Sequence, residues 1–441
     1  MAVRTRVHRK PGGRTPSTRR RPFSRRLPLL LLVTGLVAGC SSSASEPTSA
    51  PASTTTTTTT TSSPSSPAAA FQWQRVTPGD ETLPSGMEEV VVGGPGLVAV
   101  GGDGSGGDFD AAVWVSSDGN AWDRVAHDDL VFGGPGDQIV RDLTAGGPGL
   151  VAIGFDTSGD DWDAVVWTSA DGLAWTRVPD TNDVFGGPGM QVAHGMVASE
   201  RGIVAVGVET DEEGDQDVAV WTSPDGLTWM RVPHDEDVFG GEGNQAAHAV
   251  THGDFGFVAA GYDAELAGGG ADFDAAMWVS PDGERWSRVP HDEATFGGPD
   301  WQGTDTVIAG GPGLVALGWS EDDGPYDVVV WSSVDGAEWA RAAPDAQELG
   351  GEGEQIVRAL IEADLGLVAV GRDAADGDDD AAIWISTDGV TWIQLHDESF
   401  GGPDAQEIRG VTVFGDLIVA VGVDRSTGPP TAAIWVGRPA A

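Results

Sequence analysis

From residue 71 onward the chain is a succession of short apolar runs cut by glycine, proline and acidic residues. Stretches such as "GLVAIG", Gly149 to Gly154, and "AVVWTS", Ala164 to Ser169, are too short for helices and rich in strand-favouring side chains. One unit dominates. In "AAVWVSSDGNAWDRV", Ala111 to Val125, an apolar strand ends near Trp114, Asp118-Gly119 supplies a turn, and Trp122 opens a second strand, which reads as a β-hairpin. The pattern W-x-S-x-D-G-x-x-W recurs from Trp167, Trp221, Trp278, Trp331 and Trp384, at spacings of 53, 54, 57, 53 and 53 residues. A period in that range means stacked supersecondary units.

Each hairpin follows a shorter one. In "TAGGPGLVAIG", Thr144 to Gly154, a strand leads through a Gly-Pro turn into an apolar strand. Counterparts end at Gly101, Gly207, Gly261, Gly318, Gly371 and Gly422, making seven. Each repeat is thus strand A, turn, strand B, loop, strand C, Asp-Gly turn, strand D. The fold class predicted is all-β: a seven-bladed β-propeller of four-stranded antiparallel blades. The seventh repeat stops after strand C, "TAAIWV" at Thr431 to Val436, whereas "FQWQRV" at Phe71 to Val76 carries the W-x-R-V signature of strand D without a preceding partner. The N-terminal strand is therefore expected to close the last blade and remove two open edges.

Upstream of the repeats the composition changes twice. Residues 1–40 hold ten basic residues, all before Leu27, then the apolar "LPLLLLVTGLVAG", which reads as an export signal. It ends in "VAGC", Val37 to Cys40, which resembles the lipobox of bacterial lipoproteins. That resemblance implies lipidation at Cys40, the only cysteine, and anchoring in a lipid bilayer. "RRPF", Arg20 to Phe23, is similar to a twin-arginine motif, so the general and twin-arginine routes both stay open. Residues 41–70, Ser, Thr, Pro and Ala with eight consecutive threonines, read as a disordered tether, similar to those of actinobacterial lipoproteins. The predicted domains are thus 1–40 signal, 41–70 linker and 71–441 propeller, with localisation on the outer face of the cytoplasmic membrane.

Past Cys40 there are 14 basic residues, all arginine, against 68 acids, a formal charge of −54. Such a surface repels phosphate backbones and excludes nucleic acid as a partner.

The hairpin motif S-x-D-G-x-x-W resembles the Asp-box of sialidase-type (BNR-like) propellers, S-x-D-x-G-x-T-W, with one residue fewer between Asp and Trp. The resemblance implies that Asp118, Asp171, Asp225, Asp282, Asp335 and Asp388 accept backbone hydrogen bonds in the turns while tryptophans pack between blades. A side chain repeated in every blade belongs to the scaffold. The same reasoning covers the arginines two residues past the D-strand tryptophan, His127, His234, His291 and His396, and the glutamines from Gln138 to Gln406, expected to satisfy backbone groups of the glycine-rich loops.

Function is sought where repeats align but differ in chemistry. Thirteen residues before each strand-B glycine stand Glu88, Arg141, His194, His248, Asp305, Arg358 and Arg409, at the start of the innermost strand and hence at the channel mouth, a candidate ligand-binding ring. Arg141, Arg358 and Arg409 suit a carboxylate or phosphate. His194, His248 and Asp305 have the ligand types of an open zinc-like site, although spacing leaves the metal unknown. The acidic B-to-C loops suit calcium as a cofactor but lack the EF-hand order, and Phe109, Trp162, Phe273, Trp319 and Tyr326 suit stacking on sugars.

No catalytic residue stands out. The expected function is a monomeric cell-envelope lipoprotein whose propeller is a non-enzymatic binding or scaffold module for a glycan, peptide or cell-wall ligand. The alternative is a sialidase-like glycan-processing hydrolase on the same face, with Tyr262 or Tyr326 as the nucleophile the resemblance implies.

Overall fold

The tandem hairpins close into a ring of seven four-stranded antiparallel blades in the computed structural model of the protein. The structure describes residues 71–440 except 80–84, 160, 180–183, 211–213, 266–271, 299–300, 312, 322–324, 344–348, 350–352, 376 and 427. The signal, the tether and Cys40 lie outside the described residues. Blades 1 to 6 span residues 85–124, 138–177, 191–231, 244–288, 302–341 and 355–395, each ordered A-B-C-D.

Blade 7 combines 406–439 with the N-terminal strand Phe71–Val76, which pairs antiparallel with Thr431–Pro439 in the register Trp73 opposite Gly437 and Arg75 opposite Trp435. Trp73 also meets Phe400 edge-on at 5.4 Å. The ring is closed by the two ends of the repeat region, as the unpaired signatures predict.

Strands B and C are buried on both faces because each blade is sandwiched between two others, which explains why they read as continuous apolar runs rather than alternating ones. Among the described residues seven core layers lie between neighbouring blades, and a smaller cluster joins Phe155, Val192, Val208 and Ala246. One layer, for example, joins Val98, Val100 and Val113 of blade 1 to Leu143, Leu150 and Trp167 of blade 2, and another joins blade 7 to blade 1 through Val419, Ile434, Leu97 and Trp114.

The Asp-Gly turns work as expected. Ser116 Oγ accepts from the Gly119 N–H at 2.9 Å, Asp118 Oδ1 accepts from Asn120 and Ala121 at 2.8 and 3.0 Å, and the Trp122 indole donates to the Gly119 carbonyl at 3.1 Å. Gly119 sits at φ +76°, where a side chain would be strained. The D-strand arginines are scaffold too. Arg124 lies over the Trp114 ring and reaches Asp103 at the end of strand B at 2.6 Å, and Arg75, Arg177, Arg231 and Arg288 make the same clasp to Asp424, Asp156, Glu209 and Asp263. In blade 6 Gln394 takes the arginine's place on Asp373, at 2.9 Å.

One expectation needs correction and another an extension. Strand B does not end at its glycine but runs on to the clasped residue, as in Gly149–Asp156. The glutamines do bond loop carbonyls, Gln191 to Pro188 at 3.1 Å. Gln138, Gln245 and Gln355 also donate to the strand-B carboxylates of Asp156, Asp263 and Asp373, at 3.0, 2.7 and 2.9 Å. Asp156 is thereby engaged by Arg177, by Gln138 and by the Ser158 N–H at 2.7 Å, so hydrogen bonds within the blade already occupy the carboxylate at the start of this B-to-C loop.

Candidate functional site in the central channel

Every innermost strand carries a β-bulge at the same place. Pairing with strand B skips one residue between Met87 and Glu89, Val140 and Asp142, Ala193 and Gly195, Ala247 and Ala249, Thr304 and Thr306, Val357 and Ala359, and Ile408 and Gly410. The skipped residues are Glu88, Arg141, His194, His248, Asp305, Arg358 and Arg409. A bulge leaves its extra residue out of the ladder and re-aims the side chain; all seven line one cavity of about 500 Å³.

The strand-B glycine is what permits this. In each blade it sits opposite the bulge, as Gly154 does opposite Val140, and a Cβ there would overlap the carbonyl oxygen of Ile139. The glycine that marks the repeat in sequence is thus the device that turns a polar side chain into the channel.

The ring divides by chemistry. On one side Glu407, whose side chain is only 5% exposed, accepts from Arg358 Nε at 2.7 Å and Arg409 Nε at 3.0 Å, and Arg409 also pairs with Glu88. Burial opposes ionisation of Glu407, but the two guanidiniums outweigh it and hold the carboxyl at about 2. Arg409 is therefore engaged on two sides by Glu407 and Glu88, and Arg358 is tied to Glu407 through its Nε. Arg141 makes no ion pair among the described residues and lies over the ring of Phe155 at 5.4 Å, whose plane is stacked on Trp162 at 4.9 Å.

Beside it stand two carboxyls that sequence reasoning missed, Glu89 and Asp142, one residue past the bulge. Both line the cavity. Asp142 accepts from the N–H groups of Leu143 and Met196, each at 2.6 Å, so it is held by its own blade and the next. Burial nevertheless lifts its carboxyl to about 6. Glu89 accepts from Val90 N at 2.8 Å, and burial together with the charge of Asp142 raises it well above the usual carboxylate range.

On the opposite side the rings of His194 and His248 lie 5.2 Å apart. Burial, then the neighbouring His248 and Arg141, push His194 well below its usual value, which keeps it neutral. His248 Nδ1 donates to the Thr304 carbonyl at 3.1 Å and lies 3.5 Å from Asp305. Among the described residues the groups of side chains close enough to share one metal ion do not include His194, His248 and Asp305, so the zinc-like site expected of them is not assembled.

An aromatic arc leads away from His248 through Tyr262, 5.4 Å distant, and Phe273 to Trp301 and Trp319, and from Trp319 to Tyr326 at 5.4 Å. Phe109 instead folds back over Gly104. Burial raises the Tyr262 phenol.

No family model and no curated protein matches the sequence. Among solved structures the chain is similar to a Trypanosoma rangeli sialidase in complex with sialic acid, at 11% identity and a TM-score of 0.43, covering 74% of this chain and 56% of that one. It is also similar to a putative glycoside hydrolase from Parabacteroides distasonis, at 11% identity, TM-score 0.33, 59% of this chain and 86% of that one, and to another glycoside hydrolase, at 9% identity, TM-score 0.35, 85% and 93%. The chain spans little more than half the sialidase's length. At these identities the likeness is one of fold. The expectation of a non-enzymatic binding or scaffold module is corrected: the neighbours named here are a sialidase and glycoside hydrolases.

Proposed function

We propose that the channel mouth is the active site of a glycan-processing hydrolase acting on a sugar that carries a carboxylate. The observation that carries this reading is the adjacent pair Glu89 and Asp142: two cavity carboxyls whose environment keeps a proton available near neutral pH, the requirement for acid and base catalysis at a glycosidic bond. Glu89, held protonated by burial and by the charge of Asp142, donates a proton to the departing glycosidic oxygen. Asp142 takes one from the attacking water, whose oxygen bonds to the anomeric carbon as the old C–O bond breaks. Arg141, which makes no ion pair among the described residues, receives the substrate carboxylate in a bidentate contact, and the arc from Tyr262 to Trp319 offers apolar faces for further sugar rings.

In this reading the hairpin motif is a contracted Asp-box, and Cys40 with its tether holds the enzyme at the outer face of the membrane. The test is a panel of fluorogenic glycosides, including sialosides and uronides, offered to the full chain and to E89Q, D142N and R141A. Both carboxyl variants are expected to lose at least 10²-fold in kcat, and R141A to raise KM selectively for carboxylate-bearing substrates. A wild-type chain that cleaves no member of the panel, or cleavage that survives both carboxyl substitutions, overturns the proposal.

A further inference from the structure

The recurring histidines past strand D carry a chemistry that repetition alone does not explain. His234 Nε2 lies 3.2 Å from Glu236 Oε2 and 3.8 Å from Asp217 Oδ2. In the next blade His291 Nε2 lies 3.4 Å from Glu293 Oε2 and 3.7 Å from Asp274 Oδ2. In each set the ligand atoms all lie within 4.8 Å of one another. Two donors on a tetrahedral zinc with bonds of 2.0–2.1 Å stand about 3.3 Å apart, so both sets have nearly the spacing that one small ion imposes. We propose that blades 3 and 4 each carry a site for a divalent transition-metal ion of the zinc class, formed by Asp217, His234 and Glu236 and by Asp274, His291 and Glu293.

The ligands come from two elements that the backbone ties together. Asp217 and Asp274 stand at the start of strand C, and the N–H of the following residue bonds the carbonyl of a buried phenylalanine, Val218 to Phe239 and Ala275 to Phe296, both at 3.0 Å. The histidine and glutamate precede that phenylalanine on a turn closed by Phe239 N to Asp235 O and Phe296 N to Asp292 O, each at 2.8 Å. The glycine after the phenylalanine leaves no room for a side chain: a Cβ on Gly240 would come within 2.8 Å of Glu236 and 2.9 Å of Asp217, and one on Gly297 would meet Glu293 and Asp274 in the same way. The missing side chain therefore lets both carboxylates close on the same stretch of backbone beside an imidazole. In blade 3 a further carboxylate, Glu209, stands 3.8 Å behind His234 at Nδ1, the kind of outer partner that orients a ligating histidine.

One imidazole and two carboxylates leave a fourth position open to water. The mixed nitrogen and oxygen set favours zinc-class ions over calcium, which takes six to eight oxygens. Blade 1 supplies an internal control. There Asp110, His127 and the shorter Asp129 occupy the three positions, and they are not among the sets that converge.

The experiment is calorimetric titration of the metal-stripped full chain with zinc chloride. Two equivalents are expected for the wild type and for H127Q, one each for H234Q and H291Q, and none for the H234Q/H291Q double variant. The histidines are at the surface, so unchanged melting in chelator will confirm that the variants fold. A wild type that binds no zinc overturns the assignment, and so does a double variant that keeps both equivalents, since that ion would be held by the general acidity of the surface.

Discussion

Substituting Glu407 by glutamine tests the electrostatic design of the channel most directly, because it keeps the shape of a buried side chain and removes only its charge. The gap between the ordinary glutamate value of 4.5 and the value of about 2 in the folded protein corresponds, at about 1.4 kcal/mol per pH unit, to roughly 3 kcal/mol of stability. The sign follows from the direction of the shift: the carboxyl is depressed in the fold, so its contribution is fully present above the unfolded value and disappears as pH falls through the folded one. E407Q is therefore expected to be less stable than wild type by roughly 3 kcal/mol at pH 7, by under half of that at pH 3, and by almost nothing at pH 2, where a protonated glutamate resembles glutamine. Urea unfolding of both proteins across that range measures the gap. A difference of the same size at pH 3 as at pH 7 would refute the claim that the Arg358 and Arg409 ion pairs, rather than the packing of the side chain, are what Glu407 contributes.

Asp142 titrates in the opposite sense. Its carboxyl is raised from 3.8 to about 6, so wild type should gain stability on acidification from pH 7 to about 4.5, before the loss at Glu407 sets in, and D142A should gain less, since Glu89 remains raised by burial; equal pH profiles would contradict the reading. Gly154→Ala should cost several kcal/mol or abolish soluble expression, because the new methyl group overlaps the Ile139 carbonyl and cannot coexist with the bulge that presents Arg141. A melting curve close to that of wild type would show that the bulge does not depend on the glycine.

The sequence by itself determined the architecture, since each blade repeats the same local instructions: an Asp-Gly turn, a buried tryptophan, apolar runs of strand length, and a lone D-strand signature at the start that only ring closure can use. It also picked out the seven ring positions, because a residue that changes chemistry while its neighbours repeat is visible without coordinates. What it left hidden was the pairing between blades. Glu407 occupies a position held elsewhere by Gly86, Ile139, Val192, Ala246, Gly303 and Ile356, and that lone acid was a readable signal, as were Glu89 and Asp142 where other blades have Gly195, Ala249, Thr306, Ala359 or Gly410. Their consequences were not readable. Whether Arg409 meets Glu88, 321 residues away in sequence, whether Asp142 is desolvated, and whether His234 faces Asp217 all depend on distances set by the closing of the ring. Electrostatic interaction and desolvation act through space and local dielectric rather than along the chain, so only the tertiary structure could decide which of the channel's charges are neutralised, which carboxyls hold a proton, and which guanidinium stands free.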